Sequence, residues 1–595
     1  MFFVLIAVVY TCIFPYMGWI NNPNENVRTY MTMALVEDHT FQVDRIVARH
    51  GWTNDMALVP PRAQGDVPHR YSVKAPAVSY AGVPVYWVFT KVASLFGHPV
   101  PALTSSAEER SLWLLAATCV LRLFVIQIPC FFFLVFFERY LRRFTQDPIL
   151  RLAATTAVGL GSNFLAYALM YVSHSLFAVA AFVSFAITEV ERARTSTSTS
   201  RRATRAFWAG FFAGLVTLLE YHALPVSLML ALYATSAFWR PTRLFALATG
   251  GLIDVALLMF FQWRAFGNPL TPGHLMVENP AFAQEHHKGL YGMEMPSWET
   301  FRDLSTSHAF GFFGTSPFMW LGLLAIPFGL IFSSGIRRTR RHLRIATLVW
   351  LLTMLALFVT VSAANNWRGG WTIGPRYLGA APPFFAFGAV IALDMVSDHR
   401  GWRRGLARGL AVGLAIASAF TIGLVSVVYN TLPQSVTRPL VQFVIPLLRT
   451  GFVPYHVGHL VGLAGPASYF TLLAIGFAAP LALMLLWRAR EPLRWYLARI
   501  AVALLVSWIG LLGAWSLPSS EEDGDGAGDT HNMSQLWEPK GNDRITRTRE
   551  MAERYGTRGP CTWYKLADLE RIVHWDAEAA SDERRATSPR SNCSP

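Results

Sequence analysis

Between Phe2 and Trp515 the chain carries about thirteen apolar stretches long enough to cross a bilayer, and arginine clusters fall on every second connection between them. A hydrocarbon core about 30 Å thick takes roughly twenty apolar residues per helix, and lipid admits only helices or closed barrels as spanning structures. These runs are far too long for barrel strands. The expected fold is an all-α polytopic membrane protein.

The basic connections lie at 139–151, 192–205, 240–243, 337–344, 400–408 and 488–494. Positive charge marks the cytoplasmic side. Two basic connections share a side only if an even number of spans separates them. Spans drawn near 2–20, 112–137, 152–171, 175–190, 206–220, 223–238, 244–263, 309–333, 345–364, 377–397, 409–429, 467–488 and 495–516 place all six clusters inside. This parity splits 206–238 into two short spans meeting at an outer turn of Glu220, Tyr221 and His222. It also makes the apolar segment 75–96 interfacial or re-entrant, because a full span there would put the Arg139 cluster outside. The odd count leaves the N-terminus cytoplasmic and the C-terminus outside, in an inner (plasma) membrane whose working face is periplasmic or extracellular.

The net charge of +14 would suggest nucleic acid in a soluble chain. Here the arginines read as cytoplasmic anchors meeting anionic headgroups, and no nucleic-acid module is implied. The membrane domain is expected over 1–516. A flexible acidic linker follows over 517–530, then a small, partly disordered polar tail over 531–595, in which Cys561 and Cys593 could pair in an oxidising compartment.

Chemistry is expected outside, where the longer polar segments 21–111, 264–308, 365–376 and 430–466 lie. The first of these opens on Asn24, Glu25 and Asn26, with Arg28 three residues after Glu25 and on the same helical face. A carboxylate at the mouth of a bundle can be a general base or metal ligand, or one half of an ordinary ion pair. Asp44, Asn54 and Asp55 add oxygens, and Lys74 stands before the interfacial segment, either as a phosphate anchor or snorkelling to headgroups. In the segment Asn365 to Tyr377, three glycines and a proline present Arg368 and Arg376 between aromatic rings, Trp371 and Tyr377 among them. Arginine binds phosphate oxygens bidentately and aromatic faces stack on sugars. The two outer arginines break the inside-positive pattern, which favours a ligand site over an aromatic belt. His286 and His287 are adjacent and their side chains diverge, which disfavours a zinc site. Arg122, Glu220 and Asp254 lie within spans and are expected to pair internally.

The early acidic motif, the interfacial helices, the span number and the late Gly-Gly-Trp to Gly-Pro-Arg-Tyr segment together resemble the GT-C superfamily of membrane glycosyltransferases. More narrowly, the chain is similar to bacterial family 39 and RgtA/B/C/D-like proteins, relatives of protein O-mannosyltransferases and the lipid A aminoarabinose transferase. The resemblance covers roughly residues 1–400. It implies transfer of a sugar from a polyprenyl-phosphate donor to a hydroxyl of a glycan, lipid or protein on the outer face. It also implies that Glu25 is the general base, with Asp55 as fallback because Asn24 replaces the usual Asp, and that Arg28, Lys74 and Arg376 hold the leaving phosphate. A divalent cation is left open and no other cofactor is implied. A transporter or flippase for a lipid-linked or anionic substrate, with Arg122, Glu220 and Asp254 along its path, is the alternative reading.

Overall fold

The computed structural model describes residues 1–15, 22–61, 67–193, 199–330, 338–397, 401–432, 436, 438–445, 448, 453–488, 491–516, 561–572, 576–586 and 589–590. The expected linker 517–530, Cys593 and much of the tail lie outside the described residues. The chain is a helical polytopic membrane protein whose strands are confined to two short two-stranded pairs among the described residues. Six helices there are long and apolar enough to cross a membrane: Ala107–Leu141, Pro241–Phe266, Arg344–Ser362, Gly401–Val428, Pro466–Leu486 and Leu493–Gly513. Phe2–Cys12, Pro317–Pro327 and Ala381–Ser397 are shorter apolar helices. The count of thirteen spans is thus not reproduced by length alone. One reason is visible at 152–171, where Pro148–Gly159 and Asn163–Ala168 are separate helices broken by the Ser162 cap.

The apolar block 206–238 is interrupted where parity required. Thr199–Leu219 ends before Glu220, and Leu224–Ala237 resumes after a single 3-10 turn. The segment at 75–96 forms the helix Ala77–Leu95, which is not among the helices long and apolar enough to cross.

Chain entry into the first outer loop is set by local chemistry. The Asn22 side chain accepts from the Asn24 N–H at 2.9 Å, Pro23 occupies the first turn, and Glu25 complements the helix dipole there. The resulting helix, Pro23–Glu37, does not lie on the surface, since every residue from Asn24 to Ala34 is buried. After it come the short helix Asp44–His50 and a hairpin of β2 (Met56–Val59) and β3 (His69–Ser72), paired Met56 to Ser72 and Val59 to His69. A backbone bond from the Glu278 N–H to the Met56 carbonyl, and the Arg70–Glu278 ion pair at 2.7 Å, fasten the loop after Phe266 onto this hairpin.

The arginine-rich connections differ from the expected headgroup anchors, because many are held by carboxylates. Glu138 takes Arg142 and Arg151, Glu189 takes Arg143, Glu191 takes Arg202 and Arg205, and Asp147 and Glu491 share Arg404, Arg408 and Arg499. Partial burial explains the pairing, since an unpaired charge there would lose its hydration without compensation.

Candidate functional site

Three carboxylates, Glu25, Glu220 and Asp55, sit in different surroundings. Glu25 forms a two-point pair with Arg122, both contacts at 2.5 Å, and also accepts from the Tyr171 N–H at 2.6 Å. Arg122 donates further to the Pro15 carbonyl at 3.0 Å, and both side chains are almost wholly enclosed. Glu25 therefore fastens the first-loop helix to the helix Ala107–Leu141. The expected pairing with Arg28 across one helix face is not what forms.

Arg28 turns to a second cluster. It donates to the Asn24 side chain and, at 2.6 Å, to Ser173 Oγ, whose hydroxyl in turn donates to Glu220. Glu220 lies 2.8 Å from His174 Nδ1, 3.5 Å from His222 Nδ1 and 3.9 Å from the Arg28 guanidinium. The helix break at Glu220 brings this set together by turning one polar corner inward between two apolar runs. Burial pushes the His222 imidazole below its usual range despite Glu220.

The third carboxylate, Asp55, is the most open of the three side chains, at 19% exposure against 10% for Glu220 and 1% for Glu25. Hairpin register places it. Met56 opposite Ser72 sets Asp55 opposite Val73, whose N–H bonds the Asp55 carbonyl at 3.2 Å, and the next residue, Lys74, reaches Asp55 Oδ1 at 3.0 Å. Asp55 adopts φ 67°, a left-handed conformation that costs about 1 kcal/mol or more in a non-glycine residue. Burial raises the Asp55 carboxyl, but Lys74 and Arg376 outweigh it and hold the group below the usual carboxylate range. The same charges link Arg28 to Asp55 and Arg376.

Arg376 is delivered by the late outer segment. The Asn163 amide donates to the Pro375 carbonyl at 2.9 Å and the Tyr167 hydroxyl to the Ile373 carbonyl at 2.9 Å, so the broken helix pins the turn. The Arg376 guanidinium lies over the Tyr377 ring at 5.0 Å and donates to its hydroxyl at 3.2 Å, while its Nε is buried with no hydrogen-bond partner among the described residues. Tyr377 thus supports Arg376 and packs on His222, ring centroids 4.7 Å apart. Arg368 lies over the Phe310 ring at 5.0 Å, and Trp371 is the half-exposed aromatic at the tip.

Gly369 has φ +69°, and a Cβ there would strike the Arg376 Nε. Gly369→Ala is expected to displace Arg376 and cost about 1–3 kcal/mol. Thermal unfolding in detergent checks the stability, and an unchanged midpoint with unchanged activity would contradict it.

Lys74, Arg376 and Arg28 against Asp55 and Glu220 leave one positive charge in excess (3 − 2 = 1). Sequence reasoning found both ends of this set and the turn that holds His222, and missed Ser173 and His174. Only Glu220-Tyr221-His222, a polar interruption of an apolar block, offered a signal. His274 is pushed down to about 4 by burial and by His286 and Lys74, and its ring lies 5.2 Å from that of His286. Among the described residues no group of three or more His, Cys, Asp or Glu has the arrangement to hold a metal ion. Of the charges expected to pair within spans, Asp254 does not. Neither carboxyl oxygen has a hydrogen-bond partner among the described residues, because the side chain faces Gly214 at a tight helix crossing.

No family model matches this chain, and neither does any curated protein. Solved structures with some likeness include ArnT from Cupriavidus metallidurans in the apo state and the same protein bound to undecaprenyl phosphate. Both are 15% identical, with 86% of this chain and 75% of that chain covered, at TM-scores of 0.40 and 0.39. A likeness at that level carries no weight for function.

Proposed function

We propose that the chain is a GT-C-like membrane glycosyltransferase that moves a sugar from a polyprenyl-phosphate donor to a hydroxyl acceptor on the outer face. The observation that carries this reading is Asp55, the most open of the three carboxylates, paired with Lys74 at 3.0 Å and lying within the field of Arg376 and Arg28. In this reading the donor phosphate takes Lys74 from Asp55. The released carboxylate becomes more basic as its cation leaves. Asp55 then accepts the acceptor hydroxyl proton while that oxygen attacks the anomeric carbon. The bond from that carbon to the phosphate oxygen breaks, and its electron pair stays on the lipid phosphate, whose growing charge Lys74 and Arg376 hold.

Glu25 is assigned a scaffolding part, because Arg122 and the Tyr171 N–H already occupy both its oxygens. Trp371 is the aromatic placed to stack on the sugar. The transport alternative gains no specific support, since Arg122 is paired with Glu25, Glu220 with His174, and Asp254 stands apart at the crossing with Gly214.

The test is sugar transfer from a panel of radiolabelled polyprenyl-phosphate sugars by purified protein in lipid nanodiscs. Arg376→Ala is expected to lower transfer about 100-fold, the usual cost of removing one donor to a developing anion. Undiminished transfer in that variant, or none from any donor by the folded protein, would overturn the reading.

A further inference from the structure

On the opposite, basic side of the bundle a cleft of about 530 Å³ opens where the start of Phe2–Cys12 meets the ends of Ala107–Leu141 and Pro466–Leu486 and the start of Pro148–Gly159. Its apolar lining includes Phe2, Phe3, Leu483 and Trp487, and its charged side chains are Glu138, Arg142 and Arg151. Its size lies in the range of ligand sites rather than packing defects.

The arrangement of charge selects the occupant. Glu138 holds both arginines, taking Arg142 through Nε and Nη2 and Arg151 through Nε at 2.8 Å. Arg151 Nη1 donates to the Thr145 carbonyl at 3.0 Å. That leaves Arg142 Nη1 and Arg151 Nη2 uncommitted among the described residues, and the Arg142 side chain is 59% exposed. The surrounding network has the same sign of excess. Arg142, Arg151, Arg404, Arg408 and Arg499 share three carboxylates, Glu138, Asp147 and Glu491, a surplus of two positive charges (5 − 3 = 2). An apolar cleft between spanning helices with guanidinium donors at its mouth matches a molecule with a negative head and a hydrocarbon tail. Basic pockets between helices on the cytoplasmic side recognise anionic headgroups in this way.

We propose that this cleft binds one anionic diacyl phospholipid, with its phosphate on Arg142 and Arg151 and the upper part of an acyl chain against Phe2, Phe3 and Leu483. Trp487, 43% exposed, stands at the glycerol level, where interfacial indoles partition. The lipid joins the first helix to the late helix Pro466–Leu486. The proposal is independent of the transfer chemistry on the other face.

Native mass spectrometry of the full chain released from detergent, titrated with phosphatidylglycerol or with phosphatidylcholine of the same chains, tests it. The expected result is a first adduct at least about fivefold more populated with phosphatidylglycerol, a preference of about 1 kcal/mol for an anionic head beside a basic cluster. Arg142→Gln with Arg151→Gln should bring the two lipids to parity. Leu483→Trp, which fills the cleft without touching charge, should remove the first adduct with both. Equal adducts in the unaltered protein, adducts unchanged in both variants, or displacement of the lipid by inorganic phosphate at equal concentration would each overturn the proposal. Retention of the phosphatidylglycerol preference in Arg142→Gln alone, with its loss in the double variant, would support it.

Discussion

Asp55→Asn is expected to lower sugar transfer about 1,000-fold while leaving polyprenyl-phosphate binding as tight or tighter, because the amide keeps the shape, loses the proton acceptor and no longer competes with the phosphate for Lys74. The measurement is kcat beside donor Kd in nanodiscs. A large loss of donor affinity with kcat retained would make Asp55 a binding group and sink its role as base. The pH profile gives a second check. In the free protein Lys74 and Arg376 hold the Asp55 carboxyl below the usual carboxylate range, against the upward push of burial. The group thus stays ionised from neutral pH down past the ordinary carboxylate range, and kcat/KM should remain flat there. Lys74→Met removes a cation and should move the acid limb upward. Stability follows the same sign. A depressed carboxyl stabilises the folded state above its unfolded value, and the contribution is lost as pH falls through the folded one.

Breaking the Glu25–Arg122 pair is expected to act on folding rather than on chemistry. Arg122→Ala leaves an enclosed carboxylate without its cation, and a buried pair broken on one side typically costs about 3–5 kcal/mol. The expected outcome is a strongly lowered unfolding midpoint and poor recovery from the membrane. The double variant Glu25→Gln with Arg122→Met removes both charges together and should regain most of the lost stability and keep transfer near the original level. A stable double variant without transfer would return Glu25 to the chemistry and displace Asp55. The two outcomes separate cleanly because Asp55 and Glu25 lie in different contacts, one with Lys74 and the other with Arg122.

The helical class and the break at Glu220 were both determined by the chain itself. Each rests on local rules: apolar length, the cost of an unpaired polar residue in lipid, and the parity of basic connections. Lys74 and Arg376 were legible as candidates because they interrupt those rules where the chain turns outward. Partnership was not legible. Glu25 and Arg28 share a helical face by spacing, yet Glu25 pairs with Arg122 across 97 positions and Arg28 reaches Ser173 across 145. Asp55 and Lys74 met only through the register of β2 on β3, which depends on hydrogen bonds between strands. Tertiary structure decided which carboxylate was locked and which stayed open, because burial and pairing are set by neighbours distant in sequence, whereas span length and charge order are written along the chain.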